Sequence, residues 1–270
     1  MHVLVCIKQV PADPSAVKVD RKTNTLIREG IPVVVNPFDL FAIEEALRLR
    51  ERMSSSGQKG RVSVITMGPP QARSALEEAI AMGADDAVLL SDRAFAGADT
   101  LATAYTLSRG IRRIEDSTGA KVDIVICGRQ STDGDTAQVG PELAEMLGIP
   151  HLVRVRKVES LTRESIRVER IADGGYDVIE SCLPVLLTVE KGINQPRVPS
   201  LRGLMRARKA GIPVWGAQEL GVEAQQVGLA GSPTRVIRVF SPERQRRAEM
   251  LTGSPEAVAR LLVDRLMTAM

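Results

Sequence analysis

Histidine, cysteine and aromatic residues are scarce in this chain. Of 270 residues, two are histidine and three are cysteine, and aromatics make up 3%. No C-x-x-C pair and no His/Cys ligand cluster exists, which removes zinc-site and dithiol motifs. Three cysteines are also too few for this chain alone to hold an iron–sulfur cluster. Cys6 and Cys127 sit in apolar runs and read as buried thiols; His2 and His151 read as structural. Scarce aromatics withhold the stacking platforms that single-stranded nucleic acid needs, and a formal net charge of +3 is too small to draw DNA or a membrane surface by itself. No run approaches the ~20 apolar residues of a membrane span. The opening MHVLVCIKQV is too short for a signal h-region with a cleavage site, so a reduced, cytoplasmic location is expected. Neither a Walker A loop nor G-x-G-x-x-G is present.

What is present is an ordinary globular composition, 44% hydrophobic and 26% charged, with a core that must be built from Val, Leu, Ile, Ala and Met. A continuous apolar run at 3–7 and largely apolar runs at 62–67, 87–90 and 122–127 predict buried parallel strands. Between them, apolar residues at helical spacing predict helices from Asn36-Pro37-Phe38-Asp39 onward, over 72–82 and over 99–114. In the first of these, Leu40, Ile43 and Leu47 mark the core face, and arginine and glutamate occupy much of the rest. Residues 17–27 read as a small hairpin. The alternation predicts an α/β fold with a doubly wound, mostly parallel sheet, whose ligands bind at the carboxyl ends of strands. After Pro150 the pattern changes to period two at 153–158, 165–171, 176–181 and 185–189, with Asp173-Gly174-Gly175 as a hairpin turn, so antiparallel strands are added. A basic helix over 201–209 follows. Residues 211–233 lack a core pattern and read as an extended arm; residues 236–240 and a terminal helix over 255–267 are apolar on one face. The expected division is a nucleotide-binding α/β domain over 1–210 and a C-terminal arm over 211–270 that packs on a partner.

The most informative stretch is CGRQSTDGDTAQVGPELAEMLGIP, residues 127–150. A buried strand stops in a polar, glycine-bearing loop, and Val139, Leu143, Met146 and Leu147 then start a helix. Free N–H groups and the dipole at such a helix start favour an anion, phosphate above all. Asp133 and Asp135 would repel phosphate, and fit better as caps or as acceptors for ribose hydroxyls. The loop reads as a nucleotide site whose phosphates lie on backbone amides rather than on a lysine. The plain alternative is a capped helix after a strand.

Four segments together resemble the beta (small) subunit of electron-transfer flavoprotein, over almost the whole chain: VLVCIKQVPAD, NPFDLFAIEEALRL, GRQSTDGDTAQVGP, and VERIADGGYDVIESCLPVLLTVEKGINQPRVPSLRGLMRARK. The resemblance implies an adenine-nucleotide-hydrolase type of Rossmann-like fold and a heterodimer with an alpha subunit that carries electrons between dehydrogenases. The beta site then holds AMP in simple carriers. In bifurcating members it holds FAD, which takes hydride from NADH; one electron goes to ferredoxin or flavodoxin and the other through the alpha-subunit FAD to a dehydrogenase. The resemblance assigns nucleotide contact to Cys6, Asn36, Phe38, Asp39, Met67, Gln130, Ser131, Thr132, Asp133, Gly134, Asp135, Thr136, Ala137, Gln138, Val139, Gly140 and Pro141. Small residues at 134, 136, 137 and 139, where AMP-type members are bulkier and more acidic, favour FAD. So does residues 97–110, where Thr100 and Thr103 could face the isoalloxazine; their other reading is a helix cap and a core-facing threonine. Ile193 matches the apolar anchor of a recognition loop for the dehydrogenase, with Arg197 and the basic helix supplying charge around it. No catalytic acid, base or metal ligand is expected. Two competing classes are weak. An ATP-cleaving enzyme of the same fold needs Ser-Gly-Gly-x-Asp-Ser after the first strand, where Lys8-Gln9-Val10-Pro11-Ala12-Asp13 stands. A nucleotide-binding stress or scaffold protein needs neither the arm nor the Ile193 loop.

Overall fold

Strands and helices alternate along the chain. The structure is a computed structural model describing residues 1–13, 18–20, 25–27, 30–55, 57, 59–237 and 250–269. In order these form β1 (His2–Cys6), β2 (Gln9–Pro11), β3 (Lys18–Asp20), β4 (Thr25–Ile27), β5 (Val33–Val35), α1 (Pro37–Ser55), β6 (Arg61–Met67), α2 (Arg73–Met82), β7 (Asp86–Leu90), α3 (Thr100–Thr118), β8 (Ile124–Gly128) and α4 (Val139–Leu147). There follow β9 (His151–Leu161), β10 (Ser165–Ala172), β11 (Gly175–Cys182), β12 (Val185–Val189), α5 (Leu201–Arg208), β13 (Val214–Trp215), α6 (Ala217–Leu220) and α7 (Pro255–Ala269). The tip of the β3–β4 hairpin and most of the apolar run at 236–240 lie outside the described residues.

A nine-stranded sheet runs in the order β11-β10-β9-β12-β8-β1-β6-β7-β13. Neighbours from β9 across to β13 are parallel, and β10 and β11 extend that edge antiparallel. The chain therefore winds outward from β1 through β6 to β7, then returns to place β8 on the other side of β1. The exit loops of β1 and β8 consequently diverge and leave a crevice between them, the topological switch point of a doubly wound sheet. β1 shows how the two faces are filled. Val3, Val5 and Ile7 join the core under α1 and α2, while Leu4 and Cys6 join the core under α3 and α4. That is the period-two alternation of a strand buried on both sides.

Two compact units result, residues 1–237 and 238–270. Residues 211–237, which carry no readable core pattern, belong to the first: β13 pairs with β7, and Ile212, Leu220 and Val227 are buried. In the second unit α7 has Leu261, Leu262, Val263, Leu266 and Met267 exposed. Among the described residues no helix is long and apolar enough to cross a membrane.

Candidate functional site

Asp39 stands where the two diverging loops meet. It lies in the first turn of α1, 5% exposed, and its carboxylate accepts from the amide of Lys8 at 2.7 Å and from that of Gly128 at 3.2 Å. One side chain thus pins the exits of β1 and β8 to the same helix. Burial pushes the Asp39 carboxyl up to about 7, against the pull of those hydrogen bonds, the largest of which comes from Lys8. Asn36 does the same work one turn earlier. Its side-chain amide donates to the Gln130 carbonyl at 2.9 Å and its carbonyl oxygen accepts from the Thr132 amide at 3.3 Å. The Asn expected to cap α1 therefore also clamps the loop after β8. Phe38 is buried beside Gly128, where an added Cβ would come within 2.7 Å of the Phe38 Cβ, so only glycine lets that strand end pass.

The loop over 129–138 is held at its base and open above. Arg129 donates its amide to Val189 at 2.9 Å and its guanidinium to the buried Glu190 at 3.1 Å. Gln130 bonds Asp135 by side chains. Lys8 reaches Asp133 at 2.7 Å and the Ser131 hydroxyl at 3.4 Å. Gly134, Asp135, Thr136 and Gln138 are exposed. Asp135 and Ala137 both have left-handed backbone, at φ 58° and 56°. Non-glycine residues in that region store strain of about 1–3 kcal/mol and gather at ligand sites. The start of α4 has no side-chain cap, and the amides of Thr136, Ala137, Gln138, Val139 and Gly140 have no acceptor among the described residues. Gly140 is buried, and a Cβ there would stand 2.5 Å from the Thr188 methyl of β12. Donors without protein acceptors, a helix start and a close-packed glycine form a cradle for an anion.

The remaining expected residues surround this cradle unevenly. Cys6 and Cys127 are register partners at the ends of β1 and β8, both buried. The hydrogen bond from Cys127, then burial, push the Cys6 thiol well up, so it stays protonated at neutral pH. Met67 ends β6, half-buried on the α3/α4 side. Asp99, not Thr100, caps α3, accepting from Ala102 at 3.1 Å. The Thr100 hydroxyl donates to Glu142 in the first turn of α4 at 3.1 Å, which joins the two helix starts. Thr103 is half-buried on α3. Ile193 and Arg197 lie on the loop after β12, the strand that pairs with β8. Ile193 is half-buried and packs against the α1/α2 core, and Arg197 is paired with Glu44 and Glu51.

Lys8 and Glu142 escaped the sequence reading. Lys8 neutralises the loop carboxylate that stood against phosphate binding, and its signal was a lysine directly after a buried strand. Glu142 had no signal beyond a helix first turn. His2 is buried against Ser63 at 2.7 Å, in keeping with a structural role.

The electron transfer flavoprotein domain family matches residues 23–220. The chain is 49% identical over 267 residues to the electron transfer flavoprotein subunit beta of Thermoanaerobacterium thermosaccharolyticum, covering 98% of each chain. It is 46% identical to Protein FixA of Azorhizobium caulinodans, over 97% of this chain and 92% of that one. It is also 46% identical to the caffeyl-CoA reductase-Etf complex subunit CarD of Acetobacterium woodii, over 98% of each.

Proposed function

This chain belongs to the electron transfer flavoprotein family, with an electron-transfer role as the beta-type subunit and an alpha subunit as partner, and from that premise we propose that it binds FAD and draws electrons from NADH for flavin-based electron bifurcation. In this reading ferredoxin or flavodoxin receives one electron of each pair. The other passes through the alpha-subunit FAD to a dehydrogenase. The name of the Acetobacterium woodii relative couples that protein to a caffeyl-CoA reductase, which supports an acyl-CoA dehydrogenase-like partner here.

The observation that carries the reading is the cradle at the switch point. Its amides at 136–140 have no acceptor among the described residues, the residues Gly134, Ala137, Val139 and Gly140 are small, and Lys8 offsets Asp133. A dinucleotide needs room for two phosphates, and the small residues here support that reading. The residues that fit it are the 136–140 amides for the pyrophosphate, the ends of β1 and β6 at Cys6 and Met67 for the adenine, and the α3 start near Thr100 and Thr103 for the flavin end. Bound FAD supplies the hydride-accepting chemistry, which asks for no protein acid or base. The chain's part is to bind and orient the group. Asn36 and Asp39 hold the loop that does so.

Anaerobic titration of the purified heterodimer with NADH tests this. Two flavins per heterodimer, with the beta-site flavin bleached by NADH, are expected. AMP in the beta site, or a beta flavin that NADH leaves oxidised, replaces bifurcation by a simple carrier between dehydrogenases.

A further inference from the structure

Three residues of the loop after β12, Lys191, Asn194 and Arg197, hold it to α1. The Arg197 guanidinium donates from Nε to Glu44 Oε2 at 2.7 Å and from Nη2 to Glu44 Oε1 at 3.1 Å. It also donates from Nη1 and Nη2 to the two oxygens of Glu51 at 2.7 and 3.2 Å. The Arg197 amide adds a bond to Glu44 at 3.1 Å. Asn194 donates to the Phe41 carbonyl at 3.0 Å and to Glu45 at 2.9 Å. The Lys191 ammonium lies 4.4 Å from the centre of the Phe38 ring. Glu44 and Glu45 are buried, at 3% and 2% exposure, although they sit on a helix whose charged residues should face water. Burial raises Glu44, but the bonds from Arg197 and Arg48 outweigh it and hold the carboxyl below its ordinary value.

A guanidinium facing two carboxylates in fork geometry has its charge offset and four of its five N–H donors engaged. It has little left for an acidic group on another protein. We propose that Arg197 is a positioning residue: it locks the 191–197 segment onto α1, the same helix that holds the cofactor loop through Asn36 and Asp39, and so presents Ile193 to the dehydrogenase in a fixed place. This rests on the reading of that loop as the dehydrogenase-binding element. It replaces the expectation that Arg197 itself meets the partner. Two loops leave adjacent strands, β8 and β12, and Arg129 joins their bases through the Val189 carbonyl. One rigid helix then sets the spacing between the nucleotide and the partner surface.

The test uses the intact heterodimer with an acyl-CoA dehydrogenase as electron acceptor. The variants are Arg197→Ala, Arg197→Lys, the pair Glu44→Gln with Glu51→Gln, and all three changes together. Backbone amide exchange over 191–200 is read beside KM and kcat for the dehydrogenase. Arg197→Ala and the double glutamate variant should each speed exchange and raise KM about tenfold, leaving kcat and dye reduction by NADH unchanged, because loss of either side frees the same loop. The combined variant should be no worse than Arg197→Ala. Lysine, lacking the fork, should restore only part. If the glutamate variant keeps wild-type exchange and KM while Arg197→Ala loses KM, Arg197 contacts the partner directly and the proposal is overturned. Ile193→Ala separates the two levels. Raised KM there supports the partner loop; unchanged KM, with exchange still faster in Arg197→Ala, overturns the partner-loop reading and with it the positioning role, while leaving the clamp as structure.

Discussion

A side chain at position 140 has no space to occupy. The Thr188 methyl lies 2.5 Å from where a Cβ would stand, so even alanine must push α4 away from β12. Overpacking of this kind costs typically about 1–3 kcal/mol. It would act on the helix start whose amides form the anion cradle. Gly140→Ala should weaken nucleotide retention and Gly140→Leu should abolish it, measured as nucleotide released from the purified heterodimer. Full retention in Gly140→Leu would place the phosphates elsewhere. Asp39 makes a different prediction. Its folded value near 7 lies above the ordinary 3.8, so between those values the folded chain holds a proton that the unfolded chain has lost. Its contribution to stability is therefore full below about pH 4 and declines as pH rises through 7. The size is on the order of 4 kcal/mol for a fully buried carboxyl. Asp39→Asn should flatten the pH dependence of the melting temperature across that window. An unchanged slope would remove Asp39 as its source. Glycine beside a polar loop and Asp in a helix first turn are both visible in the sequence. The 2.5 Å contact and the burial are not, because Thr188 and Gly128 come from strands far along the chain.

Helix α1 and helix α7 mark the two limits of periodicity. In α1, Ile43 and Leu47 are fully buried, as their spacing predicts. Glu44 and Glu45 are buried too, against the pattern, because the loop carrying Asn194 and Arg197 folds over them. Helix periodicity reports which face meets the sheet; it is silent about a loop that arrives some 150 residues later. In α7 the apolar residues have the right spacing and remain exposed. An exposed apolar helix face of this kind suits an interface. Expressed without its alpha subunit, the chain should run as aggregate or mixed oligomer by size exclusion. A monodisperse monomer with one cooperative melting transition would show that α7 needs no partner.

At the scale of the whole molecule, the alternation of apolar runs and amphipathic segments was enough to predict a doubly wound α/β sheet with added antiparallel strands, because each strand's burial on two faces is written in its own residues. The loop after residue 127 could be read as a candidate anion site for the same local reason: a strand, small residues and a helix start follow one another without interruption. Strand order was not available from any local pattern. Only the assembled sheet puts β8 beside β1, opens the crevice there, and sets Asn36, Asp39 and Lys8 against a segment 89 to 125 residues away. The same holds for the loop after β12. Its Ile and Arg were visible as types, but that Ile193 packs half-buried on the core and Arg197 is neutralised depends on α1, with Glu44 and Glu51, reaching the loop through space. Local chemistry is carried by neighbours in the chain and is decided by sequence alone. Charge pairing and burial depend on neighbours in space, and the tertiary structure alone chose those.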